Sequence, residues 1–174
     1  MNRSILLLVG DDYEDLELHY PLLRLREAGF DAITAGAAAG HRFRGKNGYP
    51  CTSDRAIADC AASAFVGIVL PGGWMPDKLR RDPKVLALVR DFHALNKLVA
   101  SICHGPWIAI SAGVVRGVRY TGSLGIKDDL VNAGALWHDA AAVVDGHHVS
   151  SRKPDDLPEF AASMLRVLGP AVRG

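Results

Sequence analysis

A chain of 174 residues suits one domain over residues 1–174, large enough to bury a sizeable core and too short for a comfortable second one. Apolar residues make up 49% and charged residues 22%, the mixture of a globular protein and not of a disordered one. The 20 basic and 19 acidic side chains leave a net charge of +1, which lacks the electrostatic footprint of a nucleic-acid binder.

The cysteines narrow the class further. Cys51, Cys60 and Cys103 form an odd, sparse set with no CxxC pair. That argues against a disulfide framework and a structural zinc site, and for a reducing, cytoplasmic setting. The apolar opening at residues 5–9 runs straight into Asp11, Asp12, Glu14 and Asp15, unlike a secretory leader. No apolar run approaches the roughly 20 residues that span a bilayer. Neither a membrane nor a cofactor is expected as a partner.

In chain order, residues 5–9 read as a buried parallel strand. A helix is predicted over 14–28, with Leu16, Leu22, Leu23 and Leu25 apolar, Gly29 as the stop and Pro21 kinking or breaking it. Residues 30–35 read as a second strand, 36–53 as loops with a small hairpin around Gly48-Tyr49, and 54–62 as a short helix. Residues 65–70 form another strand, ended by Pro71-Gly72-Gly73. Val85, Leu88, Val89 and Phe92 fall on one face of an amphipathic helix. Residues 98–102 are a strand that runs into Cys103, and Pro106 and Gly113 bracket the next helix. A strand at 118–121, a helix at 126–133 and a hairpin of strands 140–144 and 147–150 turning at Asp145-Gly146 follow. Leu157, Phe160, Ala161, Met164, Leu165 and Leu168 stripe the last helix, and disorder is expected only at 169–174. Such alternation implies a mostly parallel sheet covered on both faces, with its site beyond the carboxyl ends of the strands. Three strand ends should converge there: residues 11–15, 71–73 and 103–105.

The segment Ser101-Ile102-Cys103-His104-Gly105-Pro106 has the form strand, reactive side chain, glycine, helix, which is the logic of a nucleophile elbow. A thiol at a helix N-terminus meets free N–H groups, which lower its pKa. His104 is placed to act as base or counter-cation. Cys51 and Cys60 lack this context and read as core cysteines. Glu14 is a candidate to share a proton with the thiol, while Asp11, Asp12 and Asp15 read as helix caps. Gly72-Gly73 reads equally as a plain turn or as a source of oxyanion-hole N–H groups. His147 and His148, adjacent on a strand, should face opposite ways, which favours surface or loop histidines over a metal site.

Six stretches, in order along the chain, carry a resemblance: Asp12-Tyr13-Glu14-Asp15-Leu16-Glu17-Leu18, Gly45-Lys46-Asn47-Gly48-Tyr49, Leu70-Pro71-Gly72-Gly73, Ala100-Ser101-Ile102-Cys103-His104-Gly105-Pro106, Ile126-Lys127-Asp128-Asp129, and Val144-Asp145-Gly146 with Ser150-Ser151-Arg152. The chain resembles the DJ-1/PfpI superfamily, most of all its PfpI-type intracellular protease and general-stress branch. The resemblance implies an α/β, flavodoxin-like three-layer sandwich with a mostly parallel central sheet. It implies Cys103 as nucleophile, His104 as its partner, Glu14 as the glutamate that hydrogen-bonds the cysteine, and Gly73 with His104 as the oxyanion hole. It further implies a homo-oligomer, dimer or hexamer, in which an acid from a neighbouring subunit completes the triad. That acid maps onto Asp77, where the PfpI-type pattern has glutamate, and Trp107 stands where close relatives often carry a polar residue.

The expected activity is thiolate attack on a carbonyl, either of a small peptide or of an aldehyde such as methylglyoxal and its glycation adducts. The alternative is a non-enzymatic stress protein that senses peroxide by oxidation of Cys103. A receiver domain would need a phosphoacceptor Asp where this chain has Pro71-Gly72-Gly73. A class I glutamine amidotransferase would need a downstream His-x-Glu, which the region of Ser150-Ser151-Arg152 lacks.

Overall fold

A computed structural model describes residues 3–170; of the tail expected to be disordered, residues 171–174 lie outside the described residues. The strands are β1 (Ser4–Leu8), β2 (Asp31–Gly36), β3 (Arg42–Arg44), β4 (Pro50–Thr52), β5 (Arg55–Ala56), β6 (Gly67–Leu70), β7 (Leu98–Ile102), β8 (Arg119–Tyr120), β9 (Leu136–Trp137), β10 (Ala142–Asp145) and β11 (His148–Ser151). The helices are α1 (Asp15–Glu27), α2 (Met75–Leu79), α3 (Pro83–Ala94), α4 (Pro106–Ala112), α5 (Lys127–Asn132) and α6 (Leu157–Leu168). Among the described residues no helix is long and apolar enough to cross a membrane.

The central sheet has seven strands in the order β10-β11-β7-β6-β1-β2-β5. Every neighbouring pair is parallel except β10 with β11. Strands β1, β6 and β7 carry apolar residues on both faces, as a sheet covered on both sides requires, whereas inner strand β11 buries His148, Ser150 and Ser151. Along β1, Leu6 and Leu8 join the core under α3 and α4, while Ile5 and Leu7 join the core under α1 and α6. The period of two thus divides one apolar run between two layers. The predicted face of α3 is fully committed, with Val85, Leu88, Val89 and Phe92 all buried. Each such side chain contributes about 1.5–3 kcal/mol. This is the flavodoxin-like three-layer sandwich that the alternation of elements implied.

Several expectations need correction. Helix α1 runs unbroken through Pro21, whose ring removes only the N–H that would have reached the Glu17 carbonyl one turn back. Its buried stripe is Leu18, Pro21, Leu22 and Leu25, so Leu16 and Leu23 face solvent at 57% and 63% exposure. Residues 54–62 are not an α-helix: β5 extends the sheet edge, followed by two 3-10 turns at Ile57–Asp59 and Ala62–Ala64. The strand near 118–121 does not enter the main sheet, and β8 instead pairs in parallel with β9. The 140–150 hairpin turns one residue later than expected. Asp145 pairs with His148, which leaves His147 in the turn and outside the alternation of the strand.

Candidate active site

Strands β7, β6 and β1 are neighbours, so the loops that follow them meet at one end of the sheet. Cys103, directly after β7, has φ of 62°, in the left-handed region that non-glycine residues rarely occupy. Its own backbone is clamped on both sides: the N–H donates to Ser151 O (3.1 Å), and the carbonyl accepts from Ser123 N (2.8 Å). Close packing beneath the elbow explains two glycines. A Cβ on Gly105 would meet the backbone oxygens of Ile102 (2.8 Å) and, closer still, Leu70. A Cβ on Gly72 would stand 2.7 Å from the Cys103 Cβ.

Two predicted partners meet the sulfur. Cys103 Sγ lies 3.1 Å from His104 Nδ1, so the adjacent residues of the turn do point together. The backbone N–H groups of Gly73 and His104 hydrogen-bond the sulfur and favour the thiolate. These are the two donors expected of an oxyanion hole. Burial lowers the pKa of His104, with Lys46 adding to the effect and Asp129 opposing it. A neutral imidazole with a free acceptor is thereby favoured next to the thiol.

The glutamate is a correction. Glu14 is the N-cap of α1, and its Oε2 accepts from Glu17 N at 2.8 Å. That task turns its carboxyl along the helix. Glu17, one turn further on and fully buried, is the acid that acts on the Cys103 thiol. Its Oε2 also accepts from Gly72 N at 2.9 Å. Only half of a capping box forms, since Glu14 accepts from Glu17 N while the Glu14 N–H donates to Gly72 O and not to Glu17. The first acid satisfies the helix end, which frees the second to reach across to β6 and β7.

The pair titrates as a unit. Burial first, and then the charge of Glu14, push Glu17 up to about 8. Burial first, and then the charge of Glu17, push Cys103 up to about 12. The thiol is therefore raised and not lowered as expected, because desolvation and a neighbouring carboxylate outweigh the two N–H donors. One negative charge is accommodated between the two groups, and a second is strongly disfavoured.

The remaining acids have other roles. Asp11 Oδ1 accepts from Arg44 N (3.0 Å), and Asp12 Oδ2 pairs with Lys78 Nζ (2.6 Å). Asp15 ties down the 45–49 loop through Tyr49 N (2.8 Å) and Asn47 N (2.9 Å). None of the three provides the helix cap expected of them. Asp77, on α2, is ion-paired with Arg81 of its own chain, and among the described residues it makes no bond to His104. Trp107 stands edge-on to the His104 ring at 4.9 Å, and Trp74 lies 5.7 Å from it, tilted. The Trp107 indole donates to Asp129 Oδ2 (2.8 Å), and Arg80 lies 5.5 Å from its ring centroid. Trp74 carries no signal in the sequence because it belongs to no catalytic motif, and Lys46 is visible there only as a member of the Gly45-Lys46-Asn47-Gly48-Tyr49 stretch, with no role attached. Cys51 and Cys60 are free, as is Cys103. Burial raises the thiol pKa of both Cys51 and Cys60, as befits core cysteines.

A parallel α/β sheet with a strained cysteine on a strand-to-helix turn, contacted by histidine, buried glutamate and two backbone N–H donors, defines a cysteine-elbow protein of the flavodoxin-like class. The DJ-1/PfpI family model matches residues 3–167, and the chain belongs to that family. It is 42% identical over 171 residues to protein/nucleic acid deglycase 2 of Escherichia coli, covering 97% of this chain and 99% of that protein. It is 41% identical over 165 residues to deglycase PfpI of Pyrococcus furiosus, covering 95% and 99% respectively. Among solved structures it is similar to a two-domain Anabaena variabilis protein with DJ-1/ThiJ/PfpI-like and ferritin-like domains, at a TM-score of 0.94 and 37% identity. That match covers 96% of this chain and 48% of the two-domain protein, so the chain spans about half its length.

Proposed function

We propose that this chain is a cysteine-dependent hydrolase of the PfpI type that acts on small carbonyl compounds, with methylglyoxal or its glycation adducts as the substrate class. The observation that carries the reading is the 3.1 Å contact of Cys103 Sγ with His104 Nδ1, beside two N–H donors aimed at the same point. In this reading the thiol proton moves to His104 as sulfur attacks the carbonyl carbon. The oxyanion that forms is held by Gly73 N–H and His104 N–H. On methylglyoxal this gives a hemithioacetal with no leaving group: His104 protonates the oxyanion and then carries the C1 proton to C2, and water hydrolyses the resulting thioester to the 2-hydroxy acid. On a hemiaminal adduct the amine leaves with a proton from His104 as sulfur takes its place, and the same thioester follows. Deglycase names among the relatives favour adducts over peptides. Three free cysteines suit the cytoplasm.

Asp77 enters this proposal from a second subunit. Leu16, Leu23 and Tyr49 are large apolar side chains exposed on α1 and the 45–49 loop, and such a patch suits association with a second copy. In the oligomer Asp77 would exchange Arg81 for His104 of a neighbour.

The test measures methylglyoxal loss, release of amine from a glycated amino acid, and hydrolysis of a small fluorogenic peptide. Cys103→Ala should abolish turnover, and His104→Ala should lower it roughly 100-fold or more. Full activity in both variants would sink the enzyme reading. Activity confined to the peptide would make the chain a peptidase. One observation favours a second reading: the buried Glu17 acid is placed to donate to an oxidised sulfur. If wild type turns over no substrate, yet Cys103 takes up two oxygen atoms from dilute peroxide by mass spectrometry and Glu17→Leu does not, the protein is a sensor.

A further inference from the structure

His93 near the end of α3, His147 in the hairpin turn and His148 at the first position of β11 stand together. His93 Nδ1 is 2.9 Å from His148 Nε2 and 3.0 Å from His147 Nε2. One ring nitrogen from each of the three lies within 4.8 Å of the others. The rings are tilted against one another with centroids 4.6–5.1 Å apart. Of the two histidines expected on the surface or in a loop, His147 does lie in the turn, but His148 is only 2% exposed, and both point towards His93.

Hydrogen bonding alone explains this arrangement poorly. A ring nitrogen has either one N–H or one lone pair, so His93 Nδ1 makes one good hydrogen bond and not two. A cation shared by all three nitrogens satisfies them together. We propose that His93 Nδ1, His147 Nε2 and His148 Nε2 bind a late first-row divalent metal ion, with Zn²⁺ the ion of best fit and water as its fourth ligand. Tetrahedral Zn²⁺ with Zn–N bonds of about 2.0–2.1 Å sets its ligand nitrogens about 3.3–3.4 Å apart. The two short separations need to open by only a few tenths of an ångström. An all-imidazole donor set suits zinc, copper or nickel, and disfavours the oxygen-seeking Mg²⁺ and Ca²⁺. His93 and His147 are half-buried, which leaves a side open for entry and for the water.

The site is separate from the cysteine. His148 pairs with Val99 near the start of β7, whereas Cys103 follows the end of that strand. Metal bound here fastens the end of α3 to the β10–β11 hairpin.

The experiment titrates Zn²⁺ into the full chain against a chromogenic chelator, in a Cys103→Ser background so that the thiol cannot compete. One equivalent should bind per chain. His147→Gln, chosen because His147 lies in a turn, should weaken binding by more than about 100-fold, since losing a direct ligand exceeds the loss on removing a supporting group. Its circular dichroism without metal should match the parent. His93→Gln should behave alike, and Mg²⁺ should not displace zinc. Zinc should raise the thermal midpoint of the parent and not of the two variants. Absence of stoichiometric binding in the Cys103→Ser chain, or unchanged affinity in His147→Gln, overturns the proposal.

Discussion

At the scale of single residues, Glu17 governs the behaviour of Cys103. Its charge raises the thiol pKa. Glu17→Gln removes the charge and keeps an acceptor for Gly72 N–H. The thiol pKa should therefore fall in this variant, as read by thiolate absorbance against pH; a rise would mean that Glu17 acts mainly as a donor to the thiolate. The same residue links stability to pH. Its pKa rises from the ordinary carboxyl value of 4.5 to about 8 in the fold, so the folded chain holds a proton that the unfolded chain has lost. That contribution is complete below pH 4.5 and is lost as pH climbs to about 8. Within the window the slope is of order 1.4 kcal/mol per pH unit. Urea unfolding of Glu17→Gln should show a flatter pH dependence than wild type over that range.

At the scale of elements, the elbow depends on how closely β6, β7 and α4 approach. Gly105→Ala places a methyl group against two carbonyl oxygens that belong to strand backbone and cannot yield. A loss of about 3 kcal/mol or more is expected in denaturant melts. Gly113→Ala is the matched control. Gly113 caps α4 at φ 77° with open space around it, so only the left-handed penalty of about 1–2 kcal/mol applies. If the two substitutions cost the same, backbone packing under the elbow is not what demands glycine. The elements themselves were legible where one physical signal dominated: the short apolar runs of β1, β6 and β7, the stripes of α3 and α6, and the Pro106 and Gly113 brackets of α4. They were illegible where the signal was short or shared. Helix α2 has five residues and too little period to see. In α1 the sequence supplies Leu16, Leu22, Leu23 and Leu25 as apolar positions without ordering them by face, and packing against β2 and α6 selects Leu18, Leu22 and Leu25 and leaves Leu16 and Leu23 outside.

At the scale of the whole molecule, the open question is what covers the exposed Leu16, Leu23 and Tyr49. If a second copy does, Leu16→Glu should shift wild-type oligomer towards monomer in sedimentation without altering the circular dichroism. Unchanged assembly would remove this patch as the interface. Asp77→Asn should lower kcat while leaving the assembly intact if the acid acts across the interface, and should leave kcat alone if Arg81 is its only partner.

The sequence by itself determined the layered sheet, the elbow at Cys103 and the neighbourhood of His104 and Gly73. Each rests on local chemistry: apolar runs, a glycine that permits close approach, a proline that starts a helix. Tertiary structure decided which glutamate meets the thiol, because helix capping claims Glu14 and points Glu17 across two strands. It decided the thiol pKa as well, since burial acts through neighbours that are distant in the chain. It also brought His93 to His147 and His148 over intervals of 54 and 55 residues, a meeting set by the docking of α3 on the sheet and by no local pattern.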